Sequence, residues 1–408
     1  MNSKERVKMV FEHKEPDRVP IDLGSIGPSG ISAIAYNKLC EYLGIKCSCR
    51  IFDVYQQIVI PDEPVLKRFN VDLKAILPRV DKWREERLAD SSTCYVPDKW
   101  RPVILPDGSK IAYDGDIVVA KMPYKGYYFD HVYRPLEDVT IEDLDDFVWP
   151  APFSFYKLPD VNNLDIYLNG LEEEAKYWSQ NSNYALVGNF GGSIYEAATG
   201  LMGYERFLVD IVKNRKFVEK LLDKLVKVNI EYAKRYLDRV ADYVDIIMVG
   251  GEDIGMQSGL EINPELYREI VKPRQKKLWQ FIKENSKAYL VVHCCGSISE
   301  IIDDFIEIGI DAINPVQVSA ANMDSKMLKS KFGNKITFWG GGCDTQRALP
   351  GGTPKDVEEE VKRRIKDFAP DGGFIFNQVH IIQPNISPEN IISLFDSAYK
   401  YGKYPIRA

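Results

Sequence analysis

The chain has 408 residues, of which 45% are hydrophobic and 28% are charged, and its net charge is −7. Such a composition is typical of a globular protein whose core is large enough to fold without disulfide or metal cross-links. The acidic balance and the lack of a basic run argue against a nucleic-acid partner, and no segment approaches the roughly 20 apolar residues of a membrane span.

The N-terminal segment lacks the apolar stretch of a signal peptide, so the sequence predicts a cytoplasmic protein. In that compartment the seven cysteines are expected to be free or metal-bound rather than paired in disulfides. Cys47 and Cys49 have a spacing found in metal sites, but no other ligand cluster accompanies them.

Two strand-like runs occur early in the chain, at residues 19–23 and 71–77. The second is followed by an insertion, about residues 82–183, in which Pro106, Asp107 and Gly108 form the turn of a predicted hairpin. An aromatic cluster follows the hairpin, and the insertion is either a lid over the site or a packed side decoration. The cluster consists of Tyr124, Tyr127, Tyr128, Phe129 and Tyr133.

The second half of the chain alternates short apolar runs with amphipathic helices. Runs of this length and composition are typical of parallel strands buried on both faces. Three of the helices open with a capping residue before proline, at Asn263, Thr353 and Ser387. With the two early runs this makes about eight strands and predicts an α/β fold, a (β/α)8 TIM-type barrel, with a doubly wound sheet as the alternative. The six runs are 185–190, 244–250, 289–294, 312–316, 336–340 and 373–377.

Polar residues follow the predicted strands where barrel enzymes carry their active sites. His293 and Cys295 share one face of a strand, whereas Cys294 is expected to point into the helix layer. Nitrogen and thiolate ligands favour zinc, and a third ligand must come from another strand end. Cys343 and His380 are the candidates, and we predict His293, Cys295 and Cys343 as the metal ligands.

The remaining strand ends predict groups for catalysis and substrate binding. Glu252 and Asp253 are predicted to act in acid–base chemistry or to orient substrate, and His380 to be a fourth ligand or a proton shuttle. The alternative for the two carboxylates is a structural one, in which they stabilise the N-terminus of a helix. The predicted substrate-binding residues are Asn189, Tyr195, Gln257, Gln317 and Gln378.

Several motifs resemble the uroporphyrinogen decarboxylase superfamily over nearly the whole chain outside the insertion. They include HKEPDRVPID, GGSIYEAATGLMGYERFLVD, HCCGSISEIIDDFIEIGIDAINPVQ, FWGGGCDTQRALPGG and GGFIFNQVHIIQPNISPENI. The resemblance implies a distorted (β/α)8 barrel, in agreement with the strand count, and one domain over residues 1–408.

The resemblance implies two alternative activities. The decarboxylases carry an arginine motif after the first strand, which binds the carboxylates of the substrate. This chain has DLGSIGPSGIS there, without arginine, so a polycarboxylate substrate would lack its cationic partners. The zinc- and corrinoid-dependent methyltransferases carry His-x-Cys and a distant cysteine, which aligns here with His380 rather than Cys343.

The resemblance therefore implies a zinc-dependent methyltransferase that uses a corrinoid. Because the chain has no corrinoid-binding motif of its own, the corrinoid is expected to be carried by a partner protein. The alternative is a metal-free decarboxylase or lyase acting on a small carboxylate, with Asp253 and His380 as its acid–base pair.

Overall fold

The computed structural model describes residues 1–147 and 164–406. Its strands are β1 (Ile51–Asp53), β2 (Ile58–Val59), β3 (Leu73–Ile76), β4 (Trp83–Arg87), β5 (Thr93–Pro97), β6 (Val103–Ile104), β7 (Lys110–Asp114), β8 (Ile117–Met122), β9 (Asp130–His131), β10 (Ala185–Asn189), β11 (Ile246–Gly251), β12 (Tyr289–His293), β13 (Ala312–Asn314), β14 (Thr337–Trp339) and β15 (Phe374–Ile375).

Its α-helices alternate with the later strands, as a barrel requires. A 3-10 turn at Gly27–Ser29 and a π-helical turn at Tyr267–Val271 supplement them. The helices are α1 (Ser3–Phe11), α2 (Ala33–Leu43), α3 (Glu63–Arg68), α4 (Leu164–Asn181), α5 (Tyr195–Met202), α6 (Tyr204–Lys213), α7 (Arg215–Val240), α8 (Pro264–Leu266), α9 (Lys272–Glu284), α10 (Ile302–Glu307), α11 (Ser325–Phe332), α12 (Ala348–Gly351), α13 (Pro354–Phe368) and α14 (Pro388–Tyr401).

Seven parallel strands form one curled sheet in the order β3, β10, β11, β12, β13, β14, β15. The predicted first strand closes it, because residues 20–22 bond to both edges. The Phe376 amide donates to the Pro20 carbonyl at 2.8 Å, and the Asp72 amide donates to the Ile21 carbonyl at 2.8 Å. The predicted barrel is therefore confirmed, although residues 19–23 form only bridges rather than a regular strand.

The sheet is buried on both faces, as the apolar runs predict. In β12, Val291 belongs to the barrel interior, whereas Leu290 and Val292 pack against the outer helices. Helix α1 covers one end of the barrel, since Val7 and Val10 join the interior cluster.

The predicted helix caps are also present. Thr353 makes a full capping box with Asp356 at the start of α13, and the side chains of Asn263 and Ser387 accept the expected backbone N–H groups. No helix in the described ranges is long and apolar enough to cross a membrane.

The insertion carries two antiparallel sheets, β4–β5 and β6–β9. The predicted hairpin is confirmed, because β6 pairs with β7 around the turn at Gly108. The last part of the predicted insertion is α4, which packs against β3 and β10 as a barrel crossover helix. Residues 148–163 of the predicted insertion lie outside the described residues.

The expectation that the cysteines are unpaired is wrong for two of them. Cys40, in the last turn of α2, and Cys47 form a disulfide across a separation of seven residues. Gly44 ends the helix in a left-handed conformation with φ 64°, which turns the chain back over Cys40. The Cys47–Cys49 spacing therefore does not form a metal pair, and Cys49 remains a buried free thiol.

Candidate metal centre at the barrel mouth

Three side chains from two strand ends converge at the barrel mouth. His293 is the last residue of β12, Cys295 follows it, and His380 lies in the loop after β15. One ligand atom from each of the three lies within 4.8 Å of the others. The donors are two imidazole nitrogens and one thiol sulfur, the set that zinc accepts in tetrahedral sites.

Asn314 fixes the orientation of the His293 ring. The Asn314 Nδ2 donates to the Trp339 carbonyl at 3.0 Å, so its Oδ1 faces His293 Nδ1 at 2.9 Å. An amide oxygen only accepts, so His293 Nδ1 must carry the proton. In the neutral tautomer Nε2 is therefore the free nitrogen, and it points toward Cys295 Sγ at 3.3 Å, as in metal sites whose histidine is held by an outer partner.

Asp253 holds the turn that carries Cys295. Its Oδ1 accepts the Cys295 backbone N–H at 2.7 Å and lies 3.7 Å from His293 Nε2. Burial and the Asp253 carboxylate raise the pKa of the Cys295 thiol. A metal ion that binds this sulfur must therefore displace its proton.

His380 completes the group from the eighth strand end. Its ring centroid lies 5.4 Å from that of His293. Burial, and then the neighbouring His293, lower the pKa of His380 to about 4. The ring is thus neutral near pH 7, which is the form that binds metals.

Cys294 points away from the site, as the strand alternation predicts. Its Sγ is fully buried in the helix layer and donates to the Glu252 carbonyl at 2.8 Å. This orientation is confirmed.

The structure does not bring Cys343 to the His293 group. Gly340 and Gly341, with φ of 97° and 76°, turn the chain sharply after β14. Cys343 is consequently buried in the outer core, with the charged groups of α13 as neighbours. The geometry favours His380 over Cys343 as the third ligand.

Glu252 has a structural position. Its two carboxylate oxygens accept the backbone N–H groups of Ile194 and Tyr195 at 2.7 Å each, at the start of α5. The side chain is fully buried, and burial raises its pKa to about 7 despite these bonds. This arrangement matches the structural alternative considered for the carboxylates, whereas Asp253 faces the ligands.

Two predicted substrate-binding glutamines hold loops at the mouth. Gln317 Oε1 accepts the Gly296 N–H at 2.7 Å, which supports the turn after Cys295. Gln378 is fully buried, and its Nε2 donates to the Ser29 carbonyl at 3.1 Å. Both amides therefore connect neighbouring strand-end loops.

The other three predicted substrate-binding residues differ in position. Asn189 is half-buried, and its Nδ2 donates to the Ser25 carbonyl at 3.3 Å. The hydroxyl of buried Tyr195 donates to Glu261 at 3.0 Å, whereas Gln257 is exposed. Only Asn189 among them ends a barrel strand.

Sequence reasoning missed two polar residues at the mouth. Glu196 follows Tyr195 in α5, and burial together with Asp253 and Glu252 raises its pKa to about 8. Asn377 is fully buried, and neither its amide nitrogen nor its oxygen has a hydrogen-bond partner. The sequence does place Asn377 at the eighth strand end, and Glu196 lies within the motif GGSIYEAATGLMGYERFLVD, but no role was assigned to either residue.

A cavity of about 370 Å³ lies away from the His293 group. Its walls include Gly24, Lys74 and Arg79 and two tryptophans, Trp83 and Trp178. We assign the candidate site to the barrel mouth, because the convergent donor atoms lie there.

The fold and the site together define a (β/α)8 barrel with a histidine–cysteine group at its C-terminal mouth. The family model of uroporphyrinogen decarboxylase (URO-D) matches residues 156–401. The chain belongs to the uroporphyrinogen decarboxylase family.

Two similar relatives are named uroporphyrinogen decarboxylase. The one from Vesicomyosocius okutanii subsp. Calyptogena okutanii (strain HA) is 26% identical over 255 residues, which cover 60% of this chain and 67% of the relative. The one from Ruthia magnifica subsp. Calyptogena magnifica is 23% identical over 253 residues, covering 60% and 69%.

A solved structure resembles almost the whole chain. A methyltransferase from Methanosarcina mazei superposes with a TM-score of 0.62 and 16% identity, covering 98% of this chain and 99% of the other. At this identity the likeness shows a shared fold.

Proposed function

We propose that the protein is a zinc-dependent methyltransferase that moves a methyl group between a small substrate and a corrinoid carried by a partner protein. The observation that carries the proposal is the convergence of His293, Cys295 and His380 within 4.8 Å. A cytoplasmic location and a separate corrinoid protein are parts of the same proposal.

The donor set fits zinc, because two neutral imidazoles and one thiolate leave a tetrahedral position open for substrate. Bound zinc would act as a Lewis acid that stabilises a thiolate or polarises the atom carrying the methyl group. The fold that this chain shares with the methyltransferase from Methanosarcina mazei is compatible with this activity.

The residues of this chain would orient the site and move protons. Asn314 keeps His293 in the tautomer that offers Nε2. Asp253 positions Cys295 through its backbone N–H, and its carboxylate, a hydrogen-bond partner of the thiol, can take up the proton that the thiol loses. Gln317 supports the turn beyond Cys295.

The second candidate is a metal-free decarboxylase or lyase, with Asp253 and His380 as the acid–base pair. Family membership and the two named relatives favour it. The loop after the first strand carries no arginine for a polycarboxylate, so the substrate of such a lyase would be a small carboxylate.

Metal analysis of the purified protein tests the proposal. We expect one zinc ion per chain, with Cys295→Ala and His380→Ala each lowering metal affinity by about tenfold or more because each removes a ligand. Cys294→Ala is the matched control, since its sulfur faces the helix layer, and Cys343→Ala is expected to retain zinc.

The outcomes separate the candidates. Loss of zinc in Cys343→Ala and its retention in His380→Ala would overturn the assignment of the third ligand. A wild-type protein that contains no zinc and is unaffected by chelators would favour the lyase. Methyl transfer to free cob(I)alamin, measured by its absorbance, supplies the activity readout.

A further inference from the structure

The carboxylate of Glu196 lies directly against the backbone of β11. A Cβ atom added to Gly251 would come within 2.2 Å of Glu196 Oε2, so only glycine leaves room for this side chain. Gly251 pairs with His293 in the sheet. Glu196 therefore lies next to the strand end that supplies the first proposed metal ligand.

Within the described residues, the Glu196 carboxylate has no hydrogen-bond or ion-pair partner. The charged groups that act on it are Asp253 and Glu252, which are both acidic. Those that act on His380 are His293 and Asp253. Among the residues that the structure describes, no lysine or arginine therefore acts on the carboxyl groups on this side of the mouth.

The side of the mouth formed by the eighth strand carries an uncharged amide, Asn377, which also lacks hydrogen-bond partners. Asn377 follows β15 with the same orientation as Ile375, which belongs to the barrel interior. Its side chain is fully buried, and both ends of its amide lack a partner. Buried polar groups of this kind are rare unless water or a ligand satisfies them.

We propose that Glu196 determines the charge of the substrate: the mouth selects a compound with an amine or hydroxyl group near its reacting atom and rejects a carboxylate or sulfonate there. The inference rests on the proposed function, because it places the substrate beside the metal. Glu196 accepts the hydrogen bond of that amine or hydroxyl, and a negative group would face Glu196 and Asp253 together.

Three small thiols that bind through sulfur to the metal provide the test. They are 2-aminoethanethiol, 2-mercaptoethanol and 3-mercaptopropionate, which carry a positive, a neutral and a negative group. Their binding to the cobalt(II)-substituted protein is followed by the absorption of the sulfur–cobalt bond. Since thiol acidities differ, the quantity compared is the ratio of each probe's affinities for wild type and variant.

At pH 9, above the pKa of about 8 of the Glu196 carboxyl, we expect Glu196→Gln to lower the affinity for 2-aminoethanethiol about tenfold and to raise that for 3-mercaptopropionate about tenfold, because a single charge is removed near the bound probe. The affinity for 2-mercaptoethanol should change by less than about threefold, since glutamine still accepts a hydrogen bond. Gly251→Ala should give the same pattern by displacing the carboxylate. Glu205→Gln, an exposed residue of α6, is the matched control.

Equal ratios for the three probes in Glu196→Gln would overturn the proposal, and so would the same pattern in the control. A wild-type protein that takes up no cobalt would instead reject the proposed function, and the inference with it. The two failures are distinguished by the cobalt content measured before any thiol is added.

Discussion

Asp22 is a fully buried carboxylate inside the barrel, at the end of the first strand segment. It accepts the Ser25 N–H at 3.1 Å and the Trp339 indole N–H at 3.0 Å. Burial raises its pKa from 3.8 to about 6 in spite of these bonds. A raised folded-state pKa stabilises the protein below the unfolded pKa, and this contribution is lost as the pH rises through the folded value.

Asp22→Asn replaces the buried carboxyl group with an amide that does not titrate. We expect the free energy of unfolding of the wild type, relative to Asp22→Asn, to fall by about 2 kcal/mol from about pH 4 to about pH 7. Urea denaturation at a series of pH values measures it. The altered hydrogen bonds of asparagine add a constant offset, so a pH-independent difference would contradict the pKa shift.

At the same scale, the sequence predicted part of the candidate site and missed the rest. Strand alternation placed His293 and Cys295 on one face and Cys294 on the other, because the direction of side chains along a strand depends only on their order in the sequence. The choice between Cys343 and His380 depended on the positive φ of Gly340 and Gly341. The position of Glu196 depended on how α5 packs against β11, which no local pattern encodes.

Among the helices, α5 depends on a carboxylate from a neighbouring loop. Glu252 accepts two N–H groups at its start, where the unpaired donors and the helix dipole favour a negative charge. At pH 8, above its pKa of about 7, Glu252→Ala should lower the free energy of unfolding by about 3 kcal/mol, the order of two hydrogen bonds to a charged group. Urea denaturation measures this loss.

The same variant distinguishes a structural Glu252 from a catalytic one. If Glu252→Ala proved as stable as the wild type and yet inactive, with its metal content unchanged, then the carboxylate would act in the chemistry rather than in the fold. Asp253→Asn is the comparison, because its side chain is partly exposed and faces His293.

Most barrel strands could be predicted from the sequence because they are buried on both faces. The run at 289–294 became β12, and the run at 312–316 became the shorter β13. The segment 19–23 was predicted as a strand but forms only isolated bridges. The Cys40–Cys47 disulfide was not predicted, because the cysteines were expected to be free in a cytoplasmic protein; the reversal at Gly44 brings the two residues together.

At the scale of the whole molecule, a buried ion-pair network closes the barrel at the end opposite the mouth. The fully buried Asp72 carboxylate accepts bonds from Arg6 at 2.7 Å, Arg18 at 2.6 Å and the Ile21 N–H at 2.9 Å. These contacts join α1, the first strand segment and the start of β3. The network therefore lies where the first and second strands meet.

Asp72→Asn should destabilise the protein by about 3 kcal/mol, because it takes the carboxylate partner from half-buried Arg18 and leaves buried Arg6 with Asp17 alone. Asp396→Asn is the matched control: Asp396 pairs with Arg68 on the surface, where such a pair contributes less than about 1 kcal/mol. On the proposed function, zinc content should be normal in both variants, since the proposed ligands lie at the other end of the barrel. Chemical denaturation and metal analysis of the same samples measure both quantities, and a stability loss in Asp72→Asn no larger than in Asp396→Asn would show that the barrel closes without this network.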